Sequence, residues 1–403
     1  MRPYRNAALK ALAEGAGRAF NFLLSVIGAR FLGPAGWGAY WSAFSASQIL
    51  SATADLGGHL TLARDVARAP MTAGRVLGVS LRFKIALTAL AGGLFLAAGG
   101  VPSLPVTLQY PLAASLFCLS FTEWIGYYLR GRGLVVAESL VLAADCLIAF
   151  AFGAWALSTG AGPAGLAVSQ LAAHALAFGL ALVAARKLAP VTLASPRVGN
   201  TGSFIRAALP TGAAILASIA SWRLGTLALL WLSPAGTTDV VGLYSAAHRV
   251  LEGARFLPVA FAAAFFPGFA RGGRGRGPFR LVFVMTAAAA LASLALAFRP
   301  VATAAVRVLL GSGFDAAPEI LSVVFLAFPF LSANSVISQY LVATGRERTN
   351  AVVSLVHLAC HAAALGVLVP RLGALGAAYA LVTAEAAACA AGFVALLGMA
   401  RVK

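Results

Sequence analysis

Residues 241–256 carry a histidine, two arginines and a glutamate inside a long apolar run that extends over residues 240–270. Ionisable side chains at such a depth are costly unless they face a bundle interior or a water-filled cavity, so they mark function by default. At helical spacing Ser245, His248, Glu252 and Arg255 fall on one face, a polar stripe on an otherwise apolar helix. The chemistry this implies is the passage of something hydrated and charged through a membrane. Catalysis is not indicated: there is no nucleotide-binding loop, nucleophile motif or paired-carboxylate signature, so no catalytic residue, cofactor or metal is assigned. His357 and His361 share a face four residues apart, but no third ligand completes a metal site, and a packed or cavity-lining pair is the better reading.

The elements that must position these groups are membrane helices. The chain has 403 residues, of which 61% are hydrophobic and only 10% charged, whereas a soluble globule is about one quarter charged. No secretory signal is visible, because the first residues lead into a helix bearing Glu14 and Arg18. Cys118, Cys146, Cys360 and Cys389 all lie in apolar segments with no CxxC or zinc spacing, and read as reduced thiols. The formal charge is +18, but the basic residues fall in short loops, which argues against a nucleic-acid partner.

At roughly 20 apolar residues per span, about twelve helices are expected. They fall near residues 7–32, 36–61, 76–100, 106–130, 134–158 and 164–188, then 203–232, 240–270, 278–310, 318–343, 348–369 and 374–399. The odd-numbered loops contain only Arg30, Arg299, Arg307 and Arg371. Far more basic residues, among them Arg64, Arg68, Arg75, Arg82 and Lys84, are assigned to the opposite side, which puts both termini in the cytoplasm. Pro111, Pro210, Pro258 and Pro329 lie inside expected helices. Glu123, Asp145, His174 and Glu385 read as interhelical hydrogen-bonding groups, and Asn334, Ser335, Ser338 and Gln339 as a polar patch on the tenth helix.

The two halves echo each other. Phe31-Leu32-Gly33-Pro34-Ala35-Gly36 with Gly38-Ala39-Tyr40 returns as Leu232-Ser233-Pro234-Ala235-Gly236 with Gly242-Leu243-Tyr244. Gly162-Pro163-Ala164-Gly165-Leu166-Ala167 returns as Gly373-Ala374-Leu375-Gly376-Ala377-Ala378. An even number of helices per copy predicts an all-α polytopic bundle of two lobes, residues 1–188 and 203–403, joined by a cytoplasmic linker at 189–202. The lobes would be related by a pseudo-two-fold along the membrane normal, around a central cavity.

Three blocks resemble the Wzx-type polysaccharide flippases of the MOP (MATE-like) superfamily. They are Ala29 to Tyr40 continuing to Asp55 and Arg64-Asp65, the stretch Val241 to Ala247, and Leu341 with Gly345-Arg346 followed by Val369 to Ala380. The chain departs from that pattern where relatives often carry an aspartate at the start of the seventh helix's apolar run and this sequence has Trp222-Arg223, and in having about twelve helices where many relatives have fourteen. The resemblance implies alternating-access movement of an undecaprenyl-diphosphate-linked oligosaccharide across a bacterial inner membrane for surface polysaccharide export. The implied partners are that lipid, the surrounding membrane lipids, and a polysaccharide polymerase or glycosyltransferases.

It also implies a cleft lined by helices 1, 2, 7 and 8. On those helices Arg18, Arg223, Arg249 and Arg255 are the candidate substrate-binding residues, since guanidinium forks match phosphate oxygens. Glu14, Asn21, Gln48, Asp55, His248 and Glu252 are candidates for lining the cavity or coupling an ion, with Glu14–Arg18 and Glu252 with Arg249 or Arg255 as natural internal pairs. At about 1.5 Å per residue, Arg223 and Arg249 both lie roughly 14 Å from the turn that joins their helices, so they can meet at one depth. The alternatives are a cation-coupled drug or metabolite antiporter of the MATE branch, and a scaffold for glycosyltransferases that transports nothing.

Overall fold

The computed structural model describes residues 2–190, 201–233, 237–270 and 277–401, and within them every regular element is helical. The first helix, α1 (Arg2–Asp55), is far longer than the about 20 residues that cross a bilayer, and it is broken at Gly33 (φ 64°, ψ 178°) just before Pro34. A positive φ is cheap only for glycine, and proline cannot donate to the preceding turn, so Gly-Pro divides one helix into two passes. The chain then runs through α2 (Gly58–Arg68), α3 (Ala73–Ala97), α4 (Val106–Gly131), α5 (Val135–Ser158), α6 (Gly162–Leu188) and α7 (Thr201–Leu232).

Beyond these come α8 (Thr238–Ala254), α9 (Phe256–Ala270), α10 (Gly277–Ala297), α11 (Arg299–Leu309), α12 (Ala317–Phe325), α13 (Phe328–Ala343) and α14 (Glu347–Arg401). The last is divided like the first, at Gly373 (φ 56°, ψ −127°). Among the described residues eight helices are long and apolar enough to cross a membrane, and a ninth is the pair α12 and α13, bent by 41°. With α1 and α14 supplying two passes each, and α8 with α9 forming one interrupted span, the chain is an all-α multi-pass membrane protein with about the expected number of crossings.

Three expected helices differ in detail. The eighth, residues 240–270, is broken at Arg255 into α8 and α9. The tenth is broken before Phe328, where Pro329 occupies the first turn of α13 and its missing N–H costs nothing. The ninth stops at Ala297 and restarts as α11 at Arg299-Pro300 for the same reason.

The described chain forms two compact units, Met1–Phe31 with Ala43–Leu216, and Leu32–Ser42 with Ala217–Lys403. The division falls within α7, whereas the sequence suggested the connector at 189–202, most of which (191–200) lies outside the described residues. Packing accounts for both displacements. In the first unit Phe204 and Ala208 of α7 pack on Val79 and Phe83 of α3. In the second, the Pro34–Gly38 segment packs against α8.

The first unit is centred on Leu62, Val66, Trp124, Ile125 and Leu129, with Trp124 Nε1 donating to Ser80 Oγ at 2.8 Å and Tyr128 to the Ala189 carbonyl at 3.0 Å. The second is centred on Ala262, Val282, Val336, Ile337 and Leu341, and Ser293 ties α10 to the Phe325 carbonyl at 2.6 Å.

Small residues set the closest approach in the second unit. A Cβ at Gly38 would meet the Thr238 carbonyl, and one at Gly242 the Pro34 carbonyl, so α1 and α8 touch backbone to backbone. Gly242→Val should therefore lower the thermal midpoint of the purified protein by several degrees, consistent with about 1–3 kcal/mol for overpacking. Val at Gly398, which has open space around it, should leave the midpoint within a degree or two.

Candidate functional site

The polar groups of the second unit converge where α7, α8 and the Leu32–Ser42 segment of α1 meet. Tyr40 and Trp41 follow directly from the Gly33-Pro34 break, and Trp37 stacks on both, at 5.8 Å and 5.1 Å between ring centroids. Trp41 in turn is covered by two guanidiniums, Arg223 from α7 at 5.2 Å and Arg249 from α8 at 5.0 Å. Both donate to one carboxylate: Arg223 Nη2 to Glu252 Oε1 at 2.8 Å, and Arg249 Nη1 to Glu252 Oε2 at 2.7 Å. The two arginines do meet at one depth, and Glu252 is what joins them.

His248, one turn from Glu252, is 1% exposed and lies between aromatic rings, 4.9 Å from Trp222 and 5.6 Å from Tyr244. Arg255 belongs to the same neighbourhood. It sits at the α8–α9 break, with its guanidinium 4.3 Å from the Trp222 ring. Glu252 thus pairs with Arg249, one of the two partners expected from spacing, and with Arg223 from the neighbouring helix. Ser245 is fully buried and turns back to the Gly242 carbonyl at 3.2 Å, so the stripe read from the sequence is polar but not uniformly open.

A cavity of about 200 Å³ opens beside Arg255 and Trp222. Its other walls come from α13 and both passes of α14, including Asn334, Ser338, Gln339, Asn350, His357 and Glu385. The polar patch expected on the tenth helix lines this space. His357 lies 3.5 Å from Glu385, whose carboxylate accepts from Asn334 at 2.7 Å, while His361 meets Ser221 at 3.1 Å.

The remaining candidates belong to the first unit. Arg18 and Asn21 are exposed on α1, and Asn21 donates to Cys146 Sγ at 3.5 Å. Glu14 is 3.3 Å from Lys10, one turn before it. Gln48 is half-buried on α1 after the break. Asp55 is buried and contacts both His59 and Lys84, the latter at 3.1 Å.

Lys84 corrects the reading from sequence. Assigned there to a loop-side charge, it lies eleven residues into α3, is 2% exposed, and also donates to Ser120 Oγ at 2.7 Å. Its depth of about 16 Å at 1.5 Å per residue was the available signal. Trp41, hidden in an aromatic run, carried no signal of its role. Other pairs in this unit are Asp145 with His174 at 2.8 Å and Glu138 with Arg130 at 2.8 Å.

Residues 4–272 match the family described as polysaccharide biosynthesis protein. The chain belongs to that family. Among curated proteins no sequence matches. Among solved structures it is similar to a lipid II flippase MurJ in an inward closed conformation, with TM-score 0.74 and 14% identity over 97% of this chain and 87% of that one. It is equally similar to an inward-facing multidrug resistance MATE transporter of the MOP superfamily, with TM-score 0.74 and 17% identity over 95% and 94%. A third likeness is an outward-facing multidrug resistance MATE transporter of the same superfamily, with TM-score 0.65 and 17% identity over 98% and 96%. This member of the polysaccharide biosynthesis family has the fold of the MOP-superfamily membrane transporters.

The Lys84–Asp55 pair generates a test of what these buried charges do. Lys84→Met alone should destabilise the protein, by less than the ~3–5 kcal/mol of a fully stranded buried charge, because it leaves the Asp55 carboxylate with His59 alone. Lys84→Met with Asp55→Asn should recover most of that loss in a double-mutant cycle read by thermal unfolding.

Proposed function

We propose that this membrane transporter moves an undecaprenyl-diphosphate-linked oligosaccharide from the cytoplasmic to the outer leaflet of a bacterial inner membrane by alternating access, with both termini in the cytoplasm. The observation that carries the reading is the pair of guanidiniums, Arg223 and Arg249, held by Glu252 against Trp41 inside a member of the polysaccharide biosynthesis family. A diphosphate and its sugars cannot cross hydrocarbon unaided, whereas the lipid tail can remain in it. Arginine suits the phosphate oxygens, because its forked donors stay charged at any working pH.

The carboxylate and the indole have a second role in this reading. They fix two long side chains that would otherwise lose rotamer freedom on meeting the substrate, so the ordering cost is met during folding. Arg255, at the helix break, extends the cationic region toward the cavity. The first-unit groups Arg18, Asn21 and Gln48 are proposed to meet the headgroup at another stage of the cycle, and Glu14 and Asp55 to take part in ion coupling.

The multidrug likenesses favour a second reading, efflux of an organic cation. A cluster of arginines opposes it, because like charges raise the cost of the complex.

Reconstituted into liposomes, the wild-type protein should carry a fluorescent undecaprenyl-diphosphate oligosaccharide between leaflets. Arg249→Ala and Arg255→Ala should each slow this by about 10- to 100-fold, the range of a lost charge-assisted hydrogen bond. Arg249→Lys should retain part of the rate, since charge survives without the fork. Absence of lipid movement together with uptake of a fluorescent organic cation would overturn the reading in favour of the antiporter.

A further inference from the structure

The cavity beside Arg255 differs in chemistry from the arginine pair. Among its lining residues, Ser338, Gln339 and Asn350 make no side-chain hydrogen bond to another described residue. Asn334 Oδ1 likewise has no hydrogen-bond partner in the protein. Ser338, Gln339 and Asn350 are partly exposed and Asn334 Oδ1 is buried, so donors and acceptors of both kinds are open to an occupant around one space. Glu385, 4% exposed and anchored by Asn334, adds a carboxylate to the same wall.

The space itself is small. About 200 Å³ is the volume of roughly seven waters at about 30 Å³ each, which is room for one sugar ring. Neutral amides, hydroxyls and a fixed carboxylate are the groups that match ring hydroxyls, since each hydroxyl both donates and accepts. Phosphate, by contrast, is poorly served here, because Glu385 would repel it.

We propose that this cavity within the second unit binds a single neutral sugar ring of the transported lipid, with Gln339, Asn350 and Ser338 as its hydrogen-bonding wall. The inference rests on the flippase reading above and adds a specificity site to it. Arg255 lines the cavity at one edge and stacks on Trp222, which also contacts His248 of the cationic cluster. A diphosphate near the arginines would thus present its first sugar to the cavity. Discrimination would come from the cavity, since a site built to hydrogen-bond hydroxyls penalises a ligand lacking them.

The test is equilibrium binding to the full-length purified protein in nanodiscs, using four lipids. These are undecaprenyl diphosphate alone, and the same lipid bearing one glucose, one galactose or one N-acetylglucosamine. At least one glycosylated lipid should bind about tenfold tighter than the bare diphosphate, a gain of the size that one or two hydrogen bonds supply. Gln339→Leu and Asn350→Leu, each with an unchanged thermal midpoint, should reduce that ratio by about three- to tenfold. Arg249→Ala should instead weaken all four lipids together. Equal affinity for all four lipids, or a ratio unmoved in both leucine variants, overturns the sugar site and leaves the flippase reading standing. Failure of every one of the four to bind overturns the flippase reading, and this inference with it.

Discussion

Hydrocarbon solvates neither charge nor free backbone, so each ionised side chain in a spanning helix has to be answered by another helix. That constraint organises both units. Asp55 answers Lys84 across α1 and α3, Asp145 answers His174 across α5 and α6, and Glu252 answers Arg223 across α7 and α8. Each pair fixes two helices in rotation and depth at once, which apolar packing between smooth, alanine-rich surfaces does weakly. Stability alone is a poor reason to keep such pairs, because apolar residues of the same volume often serve as well or better. Exposure separates their roles. The side chains of Asp145 and His174 are 2% and 9% exposed, whereas that of Glu252 is 22% exposed. The Asp145–His174 pair holds its two helices together, while the Glu252 cluster keeps part of its polar surface exposed.

Much of this was legible in the sequence for physical reasons. Long apolar runs separated by glycine, proline and basic residues specify spanning helices, and Gly33-Pro34 specifies a break at the place where the structure has one. Arg223, Arg249, Glu252 and His248 stood out because charge is rare at such positions. Their convergence followed from counting residues back from a shared turn. Lys84 was missed because a basic residue near a helix start is usually a loop-side charge, and only its partners Asp55 and Ser120, far away in sequence, show otherwise. That Glu14 meets Lys10, and that Glu252 meets Arg223 as well as Arg249, depends on side-chain direction and on which helices pack together. Spacing along one helix does not encode either.

The placement of the unit division inside α7 has a similar cause. Hydropathy marks where a helix ends, not which neighbours each half meets. Phe204 and Ala208 belong with α3 and Phe83, while Trp222 and Arg223, later on the same helix, belong with α8. A single rigid helix can serve two units when the two ends of its surface carry different partners, and polar connectors are then a weak guide to where packing divides.

The broken helices show how backbone and site are linked. Irregular backbone at membrane depth is tolerated where it is buried in protein or lines a polar cavity, since its unpaired N–H and C=O groups need partners there. In the second unit the α8–α9 break falls at Arg255, and the α12–α13 break falls just before Leu331 and Asn334. All three of these residues line the same cavity. Two interrupted spans therefore wall one space, and straightening either would redirect the side chains that reach it. The backbone at the breaks stays hydrogen-bonded within the helices, Arg255 N–H to the Leu251 carbonyl at 2.9 Å and Ala327 N–H to the Val324 carbonyl at 3.1 Å, so the change of direction costs few bonds. Helices straight enough to cross hydrocarbon thus bring side chains from two interrupted spans to one polar space.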